Sequence, residues 1–166
     1  MILYHGSTVI VENPQIRTGN IPLDFGAGFY TTTSLNQAKR WAGIKMRREN
    51  AAAGAVSVYE LDPDALRKQA DILRFESADI HWLQFVTGNR RGVRTGPSAD
   101  LCIGPVADDT IYLSIRLFET GVLSAEETIS RLKPEKLHDQ WAFKTVKALS
   151  FLHFRNSIPV YEEIKQ

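Results

Sequence analysis

In Asp24-Phe25-Gly26-Ala27-Gly28-Phe29-Tyr30, two glycines stand two positions apart and two aromatics follow directly. Without a Cβ, a backbone can turn sharply or pass close to a neighbour. The spacing predicts a tight passage that leads into a strand over Gly28–Thr32. Behind that strand, Ser34-Leu35-Asn36-Gln37 has the spacing of a capping box. Ala38, Trp41, Ala42 and Met46 then recur at near-helical intervals. A dinucleotide-binding unit has the opposite order, with a GxGxxG loop that follows a strand and opens a helix. This chain contains no such loop.

Working outward, short apolar runs bounded by turn residues predict further strands at Ile2–Tyr4, Val56–Leu61, Asp71–Phe75, Leu101–Ile103 and Gln140–Phe143. Helices are expected between them. Ser77 caps one that buries Ile80, Leu83 and Val86 and stops near Gly88. Asp109 or Thr110 starts another, with Tyr112, Ile115 and Phe118 inward and Gly121 past its end. Ser124-Ala125-Glu126-Glu127 is a second capping box, leading into Ile129 and Leu132. Thr145 precedes a last helix carrying Leu149 and Leu152. Strands and helices mix without regular βαβ alternation, which predicts an α+β fold. With 166 residues and no linker-like tract, residues 1–166 read as one domain.

Composition narrows the function classes. Hydrophobic residues make up 43% and charged residues 23%, ordinary for a soluble globule. The net charge of +1 gives weak whole-molecule attraction to nucleic acid or membrane. The single cysteine, Cys102, cannot form an internal disulfide, which points to a reducing, cytoplasmic setting. No apolar run reaches the ~18 residues of a membrane span. The N-terminus lacks the basic-then-apolar pattern of a signal peptide, so none is expected. The four histidines show neither HxxxH nor HExxH spacing, so no metal site is expected.

Tyr4-His5-Gly6-Ser7 ends the first predicted strand. Alone, it reads as a histidine before a tight turn. His5-Gly6-Ser7 followed by Gly28-Phe29-Tyr30 resembles the histidine and tyrosine motifs of the diphtheria-toxin and poly(ADP-ribose)-polymerase class of ADP-ribosyltransferases. More closely, the chain resembles a bacterial family of small proteins in that superfamily, often encoded beside a small partner as a toxin–antitoxin pair. The resemblance includes Asp24–Tyr30, the Gln37-Ala38-x-x-Trp41-Ala42 helix and the Gly104-Pro105-Val106-Ala107-Asp108-Asp109 turn. Gln140-x-x-Phe143-x-Thr145-x-x-Ala148-Leu149 completes it, so it runs from Leu3 to about Phe154.

The resemblance implies a split β-sheet core with surrounding helices, and NAD as co-substrate. NAD loses nicotinamide through a transition state with oxocarbenium character on the ribose. An enzyme must hold the leaving group, orient the ribose hydroxyls and stabilise the developing charge. By resemblance, a catalytic triad of His5, Tyr30 and Gln140 is expected. His5 would bond a ribose hydroxyl, and Gly6, with Ser7 beside it, would meet the nicotinamide amide. Tyr30 would stack on the nicotinamide ring. Trp41 is either the second aromatic of that sandwich or a core residue of its helix. Arg17 is either a partner for the NAD pyrophosphate or a solvated arginine. Phe25 is a further candidate on the nicotinamide side of its loop.

Many enzymes of the superfamily carry a glutamate where this chain offers Gln140. An amide can donate to and accept from ribose hydroxyls, but it cannot act as a general base near neutral pH. His138, Asp139, Asp108 and Asp109 are the other groups able to take a proton, although Asp109 also suits a helix N-cap. On a strand, Asp139 would point away from Gln140. Two basic clusters complete the inventory. Lys39, Arg40, Lys45, Arg47 and Arg48 spread around one helix and read as a solvated face. Arg90, Arg91 and Arg94 crowd a glycine-bearing loop that could touch phosphate, from NAD or from a nucleic-acid acceptor. The expected activity is mono-ADP-ribosyl transfer to a protein or nucleic acid, with an antitoxin protein as partner. NAD hydrolysis, or a degenerate module that binds NAD or a macromolecule without turnover, are the alternatives.

Overall fold

The computed structural model describes residues 1–16, 23–93, 98–106, 109–132 and 137–161. Among them the chain is α+β, with seven strands in two sheets and six helices. The first sheet has the order β1-β3-β7, formed by Ile2–Ser7, Ala53–Glu60 and His153–Tyr161, all antiparallel. The second has the order β2-β6-β5-β4, from Phe29–Thr31, Asp139–Phe143, Leu101–Pro105 and Ile72–Arg74. Within it β4 runs parallel to β5 and the other pairs are antiparallel.

Alternation along the second sheet separates two apolar layers. Phe29, Leu101, Ile103, Trp141 and Phe143 point to one side, where they pack with Leu3, Tyr59 and Leu61 of the first sheet. Cys102 and Ala142 point to the other side, toward Phe25, Trp82, Leu83, Val86, Ile111 and Ile115. Helices α3 (Ile80–Arg90), α4 (Asp109–Glu119) and α5 (Ala125–Leu132) cover that second layer. On the outer face of the first sheet lies α1 (Leu35–Glu49), which buries Ala38, Ala42 and Met46. A Cβ on Gly6 would lie 1.9 Å from Ala38 O, and one on Gly54 would lie 2.8 Å from Met46 Sδ. Bare backbone at these two positions lets α1 lie against the sheet.

The caps follow the sequence in part. Ser34 Oγ accepts from Gln37 N, and Ser124 and Glu127 form the full reciprocal box. The third helix begins two residues later than Ser77 implies, capped by Asp79, and runs through Gly88 to Arg90. Tyr112 faces outward, because Ile111 and Ile115 take the inward positions of α4. The last helix, α6, is a single turn at Val146–Leu149. Leu152 instead leads into β7, a strand not expected from the sequence. Also unexpected is α2 (Pro63–Gln69), although Asp62 caps it and proline opens it as helix starts favour.

Strand β7 contains Pro159 opposite Ala55. Ala55 is paired with Ser7 on its other side and, by ladder alternation from Tyr4, directs its backbone groups there. Pro159 therefore turns its missing donor to the outer edge, where a proline costs no ladder bond.

Asp100 ties β5 to its surroundings. Its carboxylate accepts from Lys147 Nζ (2.8 Å), Thr145 Oγ1 (2.7 Å) and Asp71 N (3.0 Å). The bond from Lys147, followed by those from Asp71 and Thr145, holds its carboxyl at about 2 against an ordinary 3.8. A depressed pKa stabilises the folded state fully above the unfolded value, and that share is lost as pH falls toward the folded one. Asp100→Asn is thus expected to lower stability at neutral pH and to flatten the loss between pH 3.8 and about 2. Urea midpoints measured against pH check this.

Candidate active site

The two sheets meet at their inner edges and then part. Tyr4 of β1 and Thr32, just past β2, exchange both backbone hydrogen bonds, at 2.9 and 3.0 Å, in an isolated bridge. His5 follows on β1, buried on the side between the sheets. Its ring stacks on Phe29 with centroids 4.3 Å apart. Its Nδ1 lies 2.6 Å from the carbonyl oxygen of Tyr30. A carbonyl only accepts, so Nδ1 carries the proton and donates. Nε2, the other ring nitrogen, is buried as well.

Gly6 comes next. Tyr4 directs both backbone groups at Thr32, and alternate residues of an antiparallel ladder point the same way. The N–H and C=O of Gly6 therefore also point away from β3, toward the gap where β1 and β2 diverge. Its carbonyl accepts from Lys45 Nζ at 3.0 Å. The glycine is required first by the backbone of α1 behind it, which the sequence reading did not anticipate. Ser7 is buried at the end of β1, opposite Ala55.

Trp41 lies one helical turn before Lys45 on α1, so the stripe that carries it faces the Gly6 side. It is half-buried and belongs to neither of the two apolar clusters. Phe25 does differ from expectation. It is fully buried, packed on Phe75 and Phe85 at centroid distances of 6.0 and 5.8 Å. Its side chain is core rather than cleft wall, because the loop turns at Gly26 (φ 75°) and drives it inward. Arg17, Arg94 and Asp108 lie outside the described residues, as does the side chain of Asp109.

The glycine passage approaches β6. A Cβ on Gly28 would lie 2.9 Å from Phe143 O. The Tyr30 hydroxyl closes the turn, accepting from Phe25 N (3.1 Å) and donating to Gly26 O (2.6 Å). Burial, with Asp24 nearby, pushes this phenol far above its usual range, so it remains a donor. Lys144 Nζ donates to Phe25 O, and Arg90 grips Asp24 through Nε and Nη2 at 2.8 and 2.6 Å. Arg90, one of the arginines considered for phosphate, thereby holds the start of this loop.

Tyr30 pairs with Ala142, so it shares one face of the sheet with Gln140 two residues along β6, as diagonal neighbours. Gln140 is buried, and its Nε2 donates to Pro105 O at 3.2 Å. Asp139 points to the opposite face, as expected. Its Oδ1 accepts from Thr32 Oγ1, Thr33 N and Thr33 Oγ1, and its Oδ2 from Trp141 Nε1 (2.7 Å). A carboxylate with four donors is a clamp between β6 and the start of α1. Among the described residues, no group of three or more His, Cys, Asp or Glu could hold a metal ion, and no helix is long and apolar enough to cross a membrane.

The structure thus joins His5 to the Tyr30 backbone, sets Tyr30 and Gln140 on one sheet face, and turns the Gly6 amide edge into the gap. Beside Phe29 a cavity of about 160 Å³ is lined by Val11, Asn13, Gln15 and Ile16. Asp24 and Lys144 are contributors that sequence reasoning missed, since lone polar residues at loop positions carry no spacing signal. Lys45, read as part of a solvated face, turns instead to the Gly6 carbonyl. A family model described as a protein of unknown function (DUF3990) matches residues 1–154. No curated protein matches the chain.

Proposed function

We propose that this chain, which belongs to the DUF3990 family of proteins of unknown function, is a mono-ADP-ribosyltransferase that uses NAD and a macromolecular acceptor. The single observation that carries the reading is the 2.6 Å bond from His5 Nδ1 to the Tyr30 carbonyl at the parting of two edge strands. That bond fixes one histidine tautomer where the adjoining Gly6 presents backbone donor and acceptor to the same gap. A planar carboxamide needs such a pair, and a ribose hydroxyl needs an acceptor such as Nε2. The residues present fit the co-substrate on these grounds. When bound, NAD supplies a glycosidic bond whose cleavage releases nicotinamide.

In this reading His5 orients the ribose, and Gly6 holds the leaving group once Lys45 yields its carbonyl. Tyr30 and Trp41 flank the ring. Gln140 positions ribose hydroxyls without serving as a base, so the acceptor must already be nucleophilic or lose its proton to another group. The parting sheets are compatible with a split-sheet transferase core. We extend the proposal to a cytoplasmic toxin held by a small antitoxin protein, on the family resemblance alone. The bond from Gln140 to Pro105 O favours, as a second reading, a domain that binds NAD without turnover.

The test incubates the protein with adenine-labelled NAD and cell lysate, followed by nuclease or protease digestion. Label is expected in a macromolecular fraction with nicotinamide released alongside. Free ADP-ribose formed without lysate would instead assign hydrolysis. Binding with no nicotinamide release would overturn both enzymatic readings.

A further inference from the structure

We propose that the cavity between the end of α3 and one side of α4 binds a phosphate of a single-stranded nucleic acid, presented there as the acceptor. The cavity measures about 330 Å³ and is lined by Arg90, Arg91, Tyr112, Arg116, Glu119 and Thr120. Three cations face one carboxylate. Glu119 lies 3.6 Å from Arg116, and its main-chain oxygen accepts from Arg91 Nη2 at 3.2 Å. Two guanidinium groups are thereby held side by side at the rim.

Arg90 forms the inner wall. Both of its bonds to Asp24 fall on the one oxygen, Oδ1, and its Nη1 is buried with no acceptor among the described residues. The ion pair with Asp24 thus leaves one guanidinium N–H donor without a partner, which favours an acceptor oxygen beside it. The Arg90 guanidinium sits 4.9 Å from the ring centroid of Tyr112, a residue that is 50% exposed. A carboxylate ligand would use the arginines and leave the ring idle. A nucleotide uses both, its phosphate on guanidinium and its base on the aromatic. The net charge of +1 adds little long-range attraction, so binding falls to these local groups.

Position connects the cavity to the proposed chemistry. Asp24, held by Arg90, begins the turn whose Phe25 N and Gly26 O bind the Tyr30 hydroxyl. A strand seated on Arg91 and Tyr112 would lie across that turn from the cleft. As an acceptor site the cavity rests on the transfer reaction proposed above; as a phosphate site it does not.

Anisotropy of short labelled single-stranded RNA and DNA tests it, with NAD affinity measured separately by calorimetry. Arg91→Glu with Arg116→Glu is expected to weaken oligonucleotide binding at least ~10-fold and to reduce the salt slope by about 2. Tyr112→Ala should cost roughly tenfold through lost stacking. Arg91→Lys with Arg116→Lys should retain most of the affinity, since charge is kept. NAD affinity should stay within about twofold throughout, as none of the three touches the cleft. All three are exposed, and thermal melts confirm folding. Oligonucleotide binding equal in every variant overturns the site, and so does a loss confined to NAD. Should the wild type bind oligonucleotide through this cavity yet not bind NAD, the phosphate site stands and the transferase reading fails.

Discussion

His5→Ala is expected to reduce nicotinamide release from NAD by about 10²-fold or more, with the chain still folded. The magnitude follows from misplacing a reacting sugar by about an ångström. The residue has two duties that substitutions can separate. Nδ1 holds the Tyr30 carbonyl at 2.6 Å and so sets the spacing of β1 and β2 past their bridge. In the proposed reaction Nε2 is the atom that would meet the ribose. Losing the first bond costs about 0.5–1.5 kcal/mol, with more for the carbonyl left buried. His5→Asn retains a donor near the Nδ1 position and removes the second nitrogen. It should therefore melt closer to wild type than His5→Ala while being as poor in turnover. The same variants should relieve any growth arrest that expression of the wild type causes. Wild-type turnover in His5→Asn would remove His5 from the chemistry and leave it a strand spacer.

Gly6→Ala should produce the largest loss of stability from adding one methyl group. The new Cβ would stand 1.9 Å from Ala38 O and 2.8 Å from Ala42 N. Both are backbone atoms of α1, so no side chain can rotate aside. The helix must lift from the sheet, and with it the contacts of Ala38, Ala42 and Met46. Overpacking in well-packed interiors typically costs 1–3 kcal/mol, and a main-chain clash belongs at or above the upper end. For a chain of this length, ~3 kcal/mol corresponds to a fall in melting temperature of roughly 6–12 °C. Differential scanning calorimetry decides it. A melt within a degree or two of wild type would mean that α1 sits further from β1 than described. Because α1 also carries Trp41 and Lys45, NAD affinity should fall in step with the melt.

Much of this architecture was readable from residue types. The strand at Phe29–Thr31, the capped helix behind it and the strands at Leu101 and Gln140 follow from alternation and caps that tertiary contacts reinforce. What failed did so for identifiable reasons. His153–Tyr161 contains Arg155, Asn156 and Pro159, and as an edge strand it needs neither strict alternation nor every donor. Tyr112 looked inward because a helix with several apolar residues admits more than one rotation. Ile111 and Ile115 settle that choice only when the sheet beneath is present. In the candidate site, His5, Tyr30 and Gln140 were expected from the resemblance, and the fold joins His5 to the Tyr30 backbone and sets Tyr30 and Gln140 on one sheet face. Which groups hold them could not be read in advance, because Lys45 with Gly6, Arg90 with Asp24 and Lys144 with Phe25 are pairs distant in sequence. The burial of Phe25 is a similar case, fixed by a turn at Gly26 that only the folded chain reveals.

The proline in β7 bears on how this protein behaves in a crowded solution. A stray extended segment, from a second copy or a nascent chain, that tried to dock along that flank would meet an interrupted series of amide hydrogens. Recruitment of extra strands would stall there, whereas the opposite flank of the same sheet opens onto the gap beside Gly6. Growth by strand addition is thus discouraged at one border, while the border that could accept a guest is the one lying against the candidate catalytic groups.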